Sequence, residues 1–287
     1  MDTLALYKQV NIADNEFPVQ ITKCFYYEPG PSMDFHWHNH MQFYFFTNGT
    51  GKIHLEGKDI PVTANDTIII NSNELHYMEN LCTNLQVTIV RIDFSTLTSN
   101  ELDLCHLKYI TPITQNLVIF DNKINDSAFR NCLKNIIDEY ENRNEFSGLA
   151  FKTFAYQILL IMFKNHCIKI LNGKESIEKI NRLNQFKCVF DFIQSQYHEK
   201  ITLDQLAEMM HVSRHHFCRL FKNFTGYSPI DYINRIRIEK AYLLLRQGNL
   251  NITEVALSTG FDDANYFSRL FKYYKKLSPS KVLKRET

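Results

Sequence analysis

Three histidines and a glutamine in the first third of the chain have the residue types of a ligand-binding or metal-binding site. His36 and His38 flank Trp37, and Gln42 and His76 follow them. Side chains alternate between the faces of an extended segment, so both imidazoles lie on one face and Trp37 lies on the other. Neutral imidazoles that converge can hold Zn, Fe, Ni or Cu, or they can line a pocket for a small molecule.

A second set of candidate residues lies in a duplicated segment near the C-terminus. The run Arg-Leu-Phe-Lys at 219–222 and the pair Ser-Pro at 228–229 recur at 269–272 and 278–279, an offset of fifty residues. Seven of the thirteen positions from 217 to 229 are identical to their partners. A short helical pattern precedes each copy, so the sequence predicts two units of helix, tight turn and helix.

Charge is divided unevenly along the chain, although the net charge is only +1. Residues 180–287 contain 17 Lys and Arg against 10 Asp and Glu; the totals of 32 and 31 leave 15 against 21 for residues 1–179. The nets are therefore +7 for the C-terminal part and −6 for the front part. This balance favours a polyanionic partner for the C-terminal part, with a solvated charged surface as the alternative.

The elements that must position the histidines have the pattern of β-structure. Between about residues 21 and 94, short β-branched or aromatic runs alternate with turn segments rich in Asn, Gly and Asp. The runs lie at 43–46, 52–55, 67–70 and 85–90. Short strands at this spacing predict a small barrel or sandwich.

This front segment resembles the cupin family. The residues that follow its first motif are Gly30, His36, His38, Gln42 and Gly49, with Gln42 where a Glu is usual. The second motif is matched in spacing and in His76 and Asn80, while Asn replaces its Gly, Pro and Gly. The resemblance implies that the three histidines and Gln42 converge inside the barrel.

A Gln in place of the Glu removes the only anionic ligand and weakens the binding of a dication. We therefore expect His36, His38, Gln42 and His76 to bind an effector, with no metal and no other cofactor. His40 and His54 are expected at the surface or at the rim of the barrel.

The periodicity becomes helical in the middle of the chain. Apolar residues recur at helical spacing from 129 to 140, and a second helix is predicted over 147–171. The second helix is apolar on more than one side, so the pair either forms a homodimer surface or is buried on both faces within one chain. Residues 173–179 are polar and begin with Gly173, which predicts a helix stop and a linker.

The segment 183–281 resembles the DNA-binding domain of AraC/XylS transcription regulators. The resemblance rests on both Arg-Leu-Phe-Lys runs, on 226–229 and 260–267, and on the run 235–245 of a connecting helix predicted over about 229–247. Two departures are Lys276, where the family often has Gly, and Val282-Leu283, where it has an aromatic-Arg pair.

The resemblance implies that exposed residues of the second helix of each unit contact DNA. The expected contacts are Ser213, Arg214, His215, Cys218, Arg219, Lys222, Asn265, Ser268, Arg269 and Lys272. Arg suits guanine and Asn suits adenine, while the two Lys suit phosphate. A salt bridge within the domain is the alternative role for Arg219 and Arg269.

These features predict an α+β multidomain protein. Residues 1–172 are expected to form a cupin-like β-barrel with helices, which serves as the sensing and dimerisation domain. Residues 173–179 are expected to form a linker, and residues 180–287 an all-α domain with two helix-turn-helix units. The seven cysteines include no C-x-x-C pair, which favours a reducing compartment. The N-terminus has acidic residues and no apolar core, unlike a signal peptide, and the most apolar run is about ten residues, too short to span a bilayer. We therefore expect a cytoplasmic protein.

We expect a sequence-specific transcription regulator, an activator, controlled by a small molecule such as a sugar in the barrel. Its partners are promoter or operator DNA, a second copy of the chain and RNA polymerase. The alternative is a metal-dependent cupin enzyme fused to DNA-binding modules; the missing Glu and the lack of an acid/base pair argue against it, and we assign no catalytic residue. In a third interpretation, the front half senses a protein partner or nothing.

Overall fold

The computed structural model describes residues 12, 14, 17–97 and 104–283, with the backbone alone for 31–35. Most of the N-terminal segment, on which the signal-peptide expectation depends, and residues 284–287 lie outside this part. The described residues form two compact units that divide between Leu183 and Asn184. No helix in these ranges is long and apolar enough to cross a bilayer.

The first unit is built on antiparallel sheets. The strands are β1 (Val19–Tyr26), β2 (Gly30–His36), β3 (Gln42–Asn48), β4 (Thr50–Leu55), β5 (Lys58–Thr63), β6 (Thr67–Ile70), β7 (His76–Asn80), β8 (Leu85–Ile92), β9 (Val118–Phe120), β10 (Lys123–Ile124) and β11 (Cys167–Ile170). One sheet has the order β1-β8-β3-β6-β10, a second has β2-β7-β4-β5, and β11 pairs with β9. The predicted runs are strands, and the β-rich, cupin-like front domain is confirmed.

Alternation along β3 divides the first unit into two cores. Tyr44 and Phe46 pack between the sheets with side chains such as Ile53 and Met78, so apolar groups fill the body of the barrel. Phe43 and Phe45 point the other way, into a core shared with the helices. Asn65 and Asn73 have positive φ, as Gly often does, because a short polar side chain tolerates the left-handed region.

Helices cover the outer face of the larger sheet. They are α1 (Thr111–Thr114), α2 (Ser127–Glu141) and α3 (Ser147–Ile161). The expectation that the second of the two predicted helices extends to residue 171 is wrong. After a π-helical turn at Met162–His166 the chain becomes extended, because residues 167–170 pair with β9.

The linker expected at 173–179 is helical. Helix α4 runs from Gly173 to Gln196, so Gly173 begins a helix instead of ending one. Asn172 and Glu175 stabilise this start: the Asn172 side chain accepts from the Glu175 amide (3.0 Å), and the Glu175 carboxylate accepts from the Asn172 amide (3.0 Å). Polar composition indicated a linker here, but it supplied a helix cap.

The second unit is all-helical. After the end of α4 it contains α5 (Leu203–Met209), α6 (Arg214–Thr225), α7 (Pro229–Gln247), α8 (Ile252–Ser258), α9 (Ala264–Lys275) and α10 (Pro279–Leu283). Helices α5 and α6 form one helix-turn-helix unit and α8 and α9 form the other, with α7 between them. The predicted duplication is therefore a structural duplication.

Helix caps in the second unit follow the sequence closely. Thr202 forms a capping box with Gln205, and Ser213 and Asp263 cap α6 and α9. Asn251 caps α8 in a capping box with Glu254, whereas Thr253 lies inside the helix. Both residues have the chemistry of a cap, and only the backbone geometry distinguishes them.

Candidate functional site

The histidine site lies where β2 ends and β3 and β7 begin. His36 and His76 are register partners across the β2–β7 pair. His38 follows β2, and Gln42 is the first residue of β3. All four side chains are buried, so the fold brings together the four residues that the cupin resemblance selected.

The three imidazoles form one cluster. Their ligand nitrogens all lie within 4.8 Å of one another. The ring centroids of His36 and His76 are 4.1 Å apart, and those of His38 and His76 are 4.9 Å apart. The cluster can hold a single ion or one small polar group.

Backbone carbonyls orient two of the rings. The Nδ1 atom of His38 lies 2.7 Å from the carbonyl oxygen of His40, and the Nδ1 atom of His76 lies 2.9 Å from that of Glu74. A carbonyl can only accept, so each Nδ1 carries the proton and each Nε2 presents a lone pair. This is the tautomer in which metal-binding histidines are commonly held.

Burial keeps His38 and His40 neutral. Burial, with the nearby rings of His76, His40 and His36, holds the pKa of His38 well below its ordinary value. Burial and the positive charge of Arg91 lower the pKa of His40 to about 4. At neutral pH both rings are therefore uncharged acceptors.

His40 belongs to this site, although we expected it at the surface or rim. Its ring stacks on His38 with the centroids 4.0 Å apart, and its Nε2 lies 2.9 Å from Gln42 Nε2. Two acceptor atoms of the site, His38 Nε2 and Gln42 Oε1, are buried without a hydrogen-bond partner among the described residues. Buried polar atoms normally have partners, so these two atoms mark where a ligand would bind.

His54 is also placed differently from our expectation. It is buried on β4, where its Nδ1 pairs with Asp59 and its Nε2 lies 3.5 Å from a Glu79 oxygen. Strand pairing brings both carboxylates to it, because His54 is the register partner of Asp59 on β5 and neighbours β7 on its other side. His54 therefore has a structural role outside the cluster.

Glu74 is a buried carboxylate next to the cluster that the sequence analysis did not single out. It accepts from the Asn71 amide at 2.8 Å and from Asn122 Nδ2 at 2.9 Å. Burial, and then the charge of Glu56, raise its pKa to about 7. Its oxygens are engaged by amides, so its role is to fix the segment that leads into His76; the only sequence signal was its place two residues before that histidine.

The donor set fits a transition-metal ion. His36, His38 and His76 would hold it, with the amide oxygen of Gln42 as an additional donor. No carboxylate belongs to the cluster in the described part of the chain. The same lone pairs accept hydrogen bonds from hydroxyl groups, so the arrangement suits a small polyhydroxy molecule as well.

The expected DNA contacts lie on the two helices that end the helix-turn-helix units. Arg214, His215, Arg219 and Lys222 on α6 are exposed, and Cys218 is half-buried between them. On α9, Asn265, Arg269 and Lys272 are exposed and Ser268 is half-buried. Phenylalanines at 217, 221, 267 and 271 are buried on the opposite faces of the two helices.

The expected arginine contacts differ in their surroundings. Arg214 lies 3.7 Å from Asp204, an exposed ion pair of little energetic weight. Arg219 and Arg269 form no salt bridge with a described carboxylate, although, after backbone hydrogen bonds, the charge of Arg269 contributes to lowering the pKa of Asp263. Ser213 uses its hydroxyl to cap α6, accepting from the His216 amide at 3.3 Å.

Comparisons with known proteins agree with both halves of this description. A family model described as a helix-turn-helix domain matches residues 206–285, and one described as a cupin domain matches residues 24–90. The chain is 28% identical to the HTH-type transcriptional regulator YdeC of Bacillus subtilis, over 85% of this chain and 84% of that protein.

Two further similarities are partial. The HTH-type transcriptional regulator SAR0107 of Staphylococcus aureus is 26% identical over 86% of this chain, which spans 32% of that longer protein. The C-terminal domain of the two-component response regulator yesN from Fusobacterium nucleatum is 32% identical over 35% of this chain and 99% of that domain, with a TM-score of 0.34. With the duplicated helical units and the buried histidine site, the family matches identify the chain as a DNA-binding transcription regulator with an AraC-type helix-turn-helix domain and a cupin domain.

Proposed function

We propose that this regulator is controlled by an effector that binds at His36, His38, Gln42 and His76. The observation that carries the proposal is the pair of buried, unpartnered acceptors, His38 Nε2 and Gln42 Oε1, at the end of an otherwise apolar barrel. Binding would shift the population of the form that binds DNA, because a ligand favours the state for which it has the higher affinity.

The chemistry of the site favours a small effector with hydroxyl donors, of which a sugar is one example. The available groups are neutral acceptors, and large side chains such as Tyr44 and Phe46 fill the barrel beyond them. Only a compact molecule, or one end of a longer one, fits such a site. The cation beside the cluster is Arg91, the register partner of Gln42 on β8, and its Nη1 already donates to Gln20 at 3.3 Å and to Thr22 at 3.2 Å.

Trp37 provides the test of effector binding. It is the only Trp of the chain, is buried, and lies between His36 and His38. Titration of a panel of sugars and polyols should change its emission for the full-length protein and leave it unchanged for His38→Ala. Replacement of His198, in the other unit, is the matched control. If no compound in the panel changes either the emission or promoter binding, the proposed control by a hydroxylated effector is wrong.

A metal-dependent cupin enzyme fused to DNA-binding modules is the second candidate, favoured by the nitrogens that lie within 4.8 Å of one another. We propose that the chain is not an enzyme, because Glu74, the nearby carboxylate, is engaged by Asn71 and Asn122. Elemental analysis of the purified protein and of His38→Ala separates the two. About one transition metal per chain, lost in the variant, would favour the enzyme or a metal effector.

For DNA recognition we propose base contacts from His215, Cys218, Arg219, Asn265, Ser268 and Arg269, and phosphate contacts from Lys222 and Lys272. Arg219 and Arg269 are exposed and form no salt bridge with a described carboxylate, which supports this assignment, because bidentate Arg–guanine contacts are the commonest specific ones. Binding-site selection from random DNA with the full-length protein tests it. If neither Arg219→Ala nor Arg269→Ala alters the preference for any base of the selected site, the assignment is wrong.

We also propose that the protein activates transcription as a homodimer, in contact with RNA polymerase, and works in the cytoplasm where it reaches DNA. Support for the dimer comes from apolar residues that remain exposed on one side of α3: Leu149, Tyr156 and Leu160 are 70%, 44% and 65% exposed. Their spacing of seven and four residues places them on one face. An exposed apolar stripe of this kind is typical of a protein interface.

A further inference from the structure

Helix α7 is shared by the two helix-turn-helix units. Near its start, the ring of Tyr232 lies 5.4 Å from Phe221 of α6 and 5.3 Å from Phe190 of α4. Further along, Ile238 and Leu245 belong to the core of the second helix-turn-helix unit. The change from one core to the other occurs between Tyr232 and Ile238, where the chain reads Arg235-Ile236-Arg237.

Arg235 lies between groups from both units. Its guanidinium carbon is 4.0 Å from the ring centroid of Tyr227, which follows α6, and 5.0 Å from that of Tyr274 on α9. Its Nε donates to Asp231 at 3.0 Å, and the Tyr274 hydroxyl donates to the other oxygen of the same carboxylate. Arg235, Asp231 and Tyr274 therefore join α7 to the C-terminal end of α9.

Arg237 makes an equivalent bridge on another side of α7. Its Nε donates to the Tyr197 carbonyl at 2.7 Å and its Nη2 donates to the Glu199 carbonyl at 2.8 Å, at the end of α4. The same guanidinium carbon lies 5.6 Å from the ring centroid of Phe261, in the turn of the second helix-turn-helix unit. Two residues along a helix correspond to a rotation of about 200°, so the two arginines project on nearly opposite sides.

We propose that Arg235 and Arg237 are positioning residues that fix the spacing and the relative rotation of the two recognition helices. Arg235 contacts Tyr227 after α6, Arg237 contacts carbonyls after α4, and each also contacts an aromatic ring of the second helix-turn-helix unit. Together they resist bending and twisting of the α4–α6 core against the second helix-turn-helix unit. As a consequence, the protein binds tightly only when the two base sequences that it recognises are separated by one particular distance. This inference rests on the proposed base contacts of both α6 and α9.

DNA geometry makes the requirement sharp. One added base pair moves the second sequence by about 3.4 Å and rotates it by about 35°, since a turn of 10–10.5 base pairs rises about 34–36 Å. A rigid pair of units would lose the contacts of one recognition helix on such a site. Loss of one well-recognised base pair corresponds to a decrease in affinity of about tenfold or more.

The test uses the sequence recovered by binding-site selection and versions with one base pair inserted or deleted between its two halves. We expect the full-length wild type to bind the altered sites about tenfold or more weakly. For the double variant Arg235→Ala with Arg237→Ala, the ratio of the affinity for the native site to the affinity for a site of altered spacing should fall towards one. Arg235→Lys with Arg237→Lys should behave like the alanine pair, because Lys keeps the charge but cannot stack or donate as a planar fork.

Two further variants make the result interpretable. Lys222→Ala should weaken binding to sites of native and altered spacing by a similar factor, because it removes one phosphate contact of α6 and leaves the contacts that join the two helix-turn-helix units unchanged. Tyr274→Phe keeps the packed ring and removes only the bond to Asp231, so it should fold and lower the ratio by a smaller factor. A lysine pair with the wild-type ratio would mean that charge matters instead of geometry, and would overturn the proposal.

The outcomes also separate this inference from the proposed base contacts. If Arg219→Ala and Arg269→Ala each alter a base preference but the wild type tolerates an inserted base pair, the positioning role alone is wrong. If one of them alters no preference and spacing has no effect, both proposals fail. Retention of the wild-type ratio in the alanine pair also overturns the positioning role.

Discussion

Replacement of Gly260 should destabilise the second unit far more than the same change at Gly248. Both glycines have positive φ, +85° and +71°. At Gly248 a Cβ would meet nothing within 4 Å. At Gly260 it would lie 2.8 Å from the His198 carbonyl oxygen, 2.9 Å from that of Tyr197 and 3.0 Å from the Arg237 guanidinium carbon. The two positions therefore share a backbone cost and differ in steric cost.

The expected magnitudes follow from these contacts. An L-residue in the left-handed region costs about 1–2 kcal/mol, so Gly248→Ala should lower the free energy of unfolding by about 1 kcal/mol. Gly260→Ala has the same cost and forces two backbone oxygens away, which adds about 1–3 kcal/mol, as overpacking does elsewhere. The Tyr197 carbonyl cannot move freely because it accepts from Arg237 Nε, and Arg237 Nη2 also fixes the carbonyl of Glu199, the residue after His198.

Urea unfolding of the full-length protein, followed by far-UV circular dichroism, measures the difference. Emission from Trp37, which is buried in the first unit, provides an internal reference that should shift far less. Equal destabilisation by the two substitutions would refute the steric argument. A larger effect for Gly248→Ala would show that the turn at Gly260 yields and that its close approach to α4 is not needed for stability.

Three other predictions concern pH, DNA and assembly. Glu74 has a folded-state pKa of about 7, above its unfolded value, so the folded state binds the extra proton and stability falls as pH rises. Relative to Glu74→Gln, the wild type should lose about 2.5 kcal/mol of unfolding free energy between about pH 5 and pH 8, and a pH-independent difference would contradict this. Arg219→Ala should cost about 1–3 kcal/mol at one base position, whereas Lys222→Ala should weaken all sequences alike; competition binding with single-base variants distinguishes them. Leu160→Glu should convert dimers to monomers in sedimentation, while Asn135→Glu on the exposed side of α2 should not; a monomeric wild type would exclude the α3 interface.

Local patterns predicted much of the second unit because its signals are local. The cap at Thr202, the turn at Gly260 and the buried phenylalanines each depend on residues within one or two helical turns. Local chemistry leaves the start of α8 ambiguous for the same reason, since Asn251 and Thr253 are both capable caps. Residues 167–170 were assigned to a helix for the opposite reason, because their partner strand lies nearly fifty residues earlier.

The candidate site divides in the same way. The spacing of His36, His38 and His76 predicted their convergence, since a strand alternates its faces and the cupin pattern relates the two motifs. The involvement of His40 and the burial of His54 depend on which strands become neighbours, and no local periodicity contains that information.

By itself, the sequence determined the two kinds of domain, the repeated helix-turn-helix units and the residues that face outward from the second helix of each. These properties follow from periodicity and duplication, which are visible along the chain. The tertiary structure decided the tautomers of His38 and His76 and the bridging by Arg235 and Arg237. These depend on carbonyl groups and rings contributed by distant segments, and only the packed fold brings such groups within a few ångströms of one another.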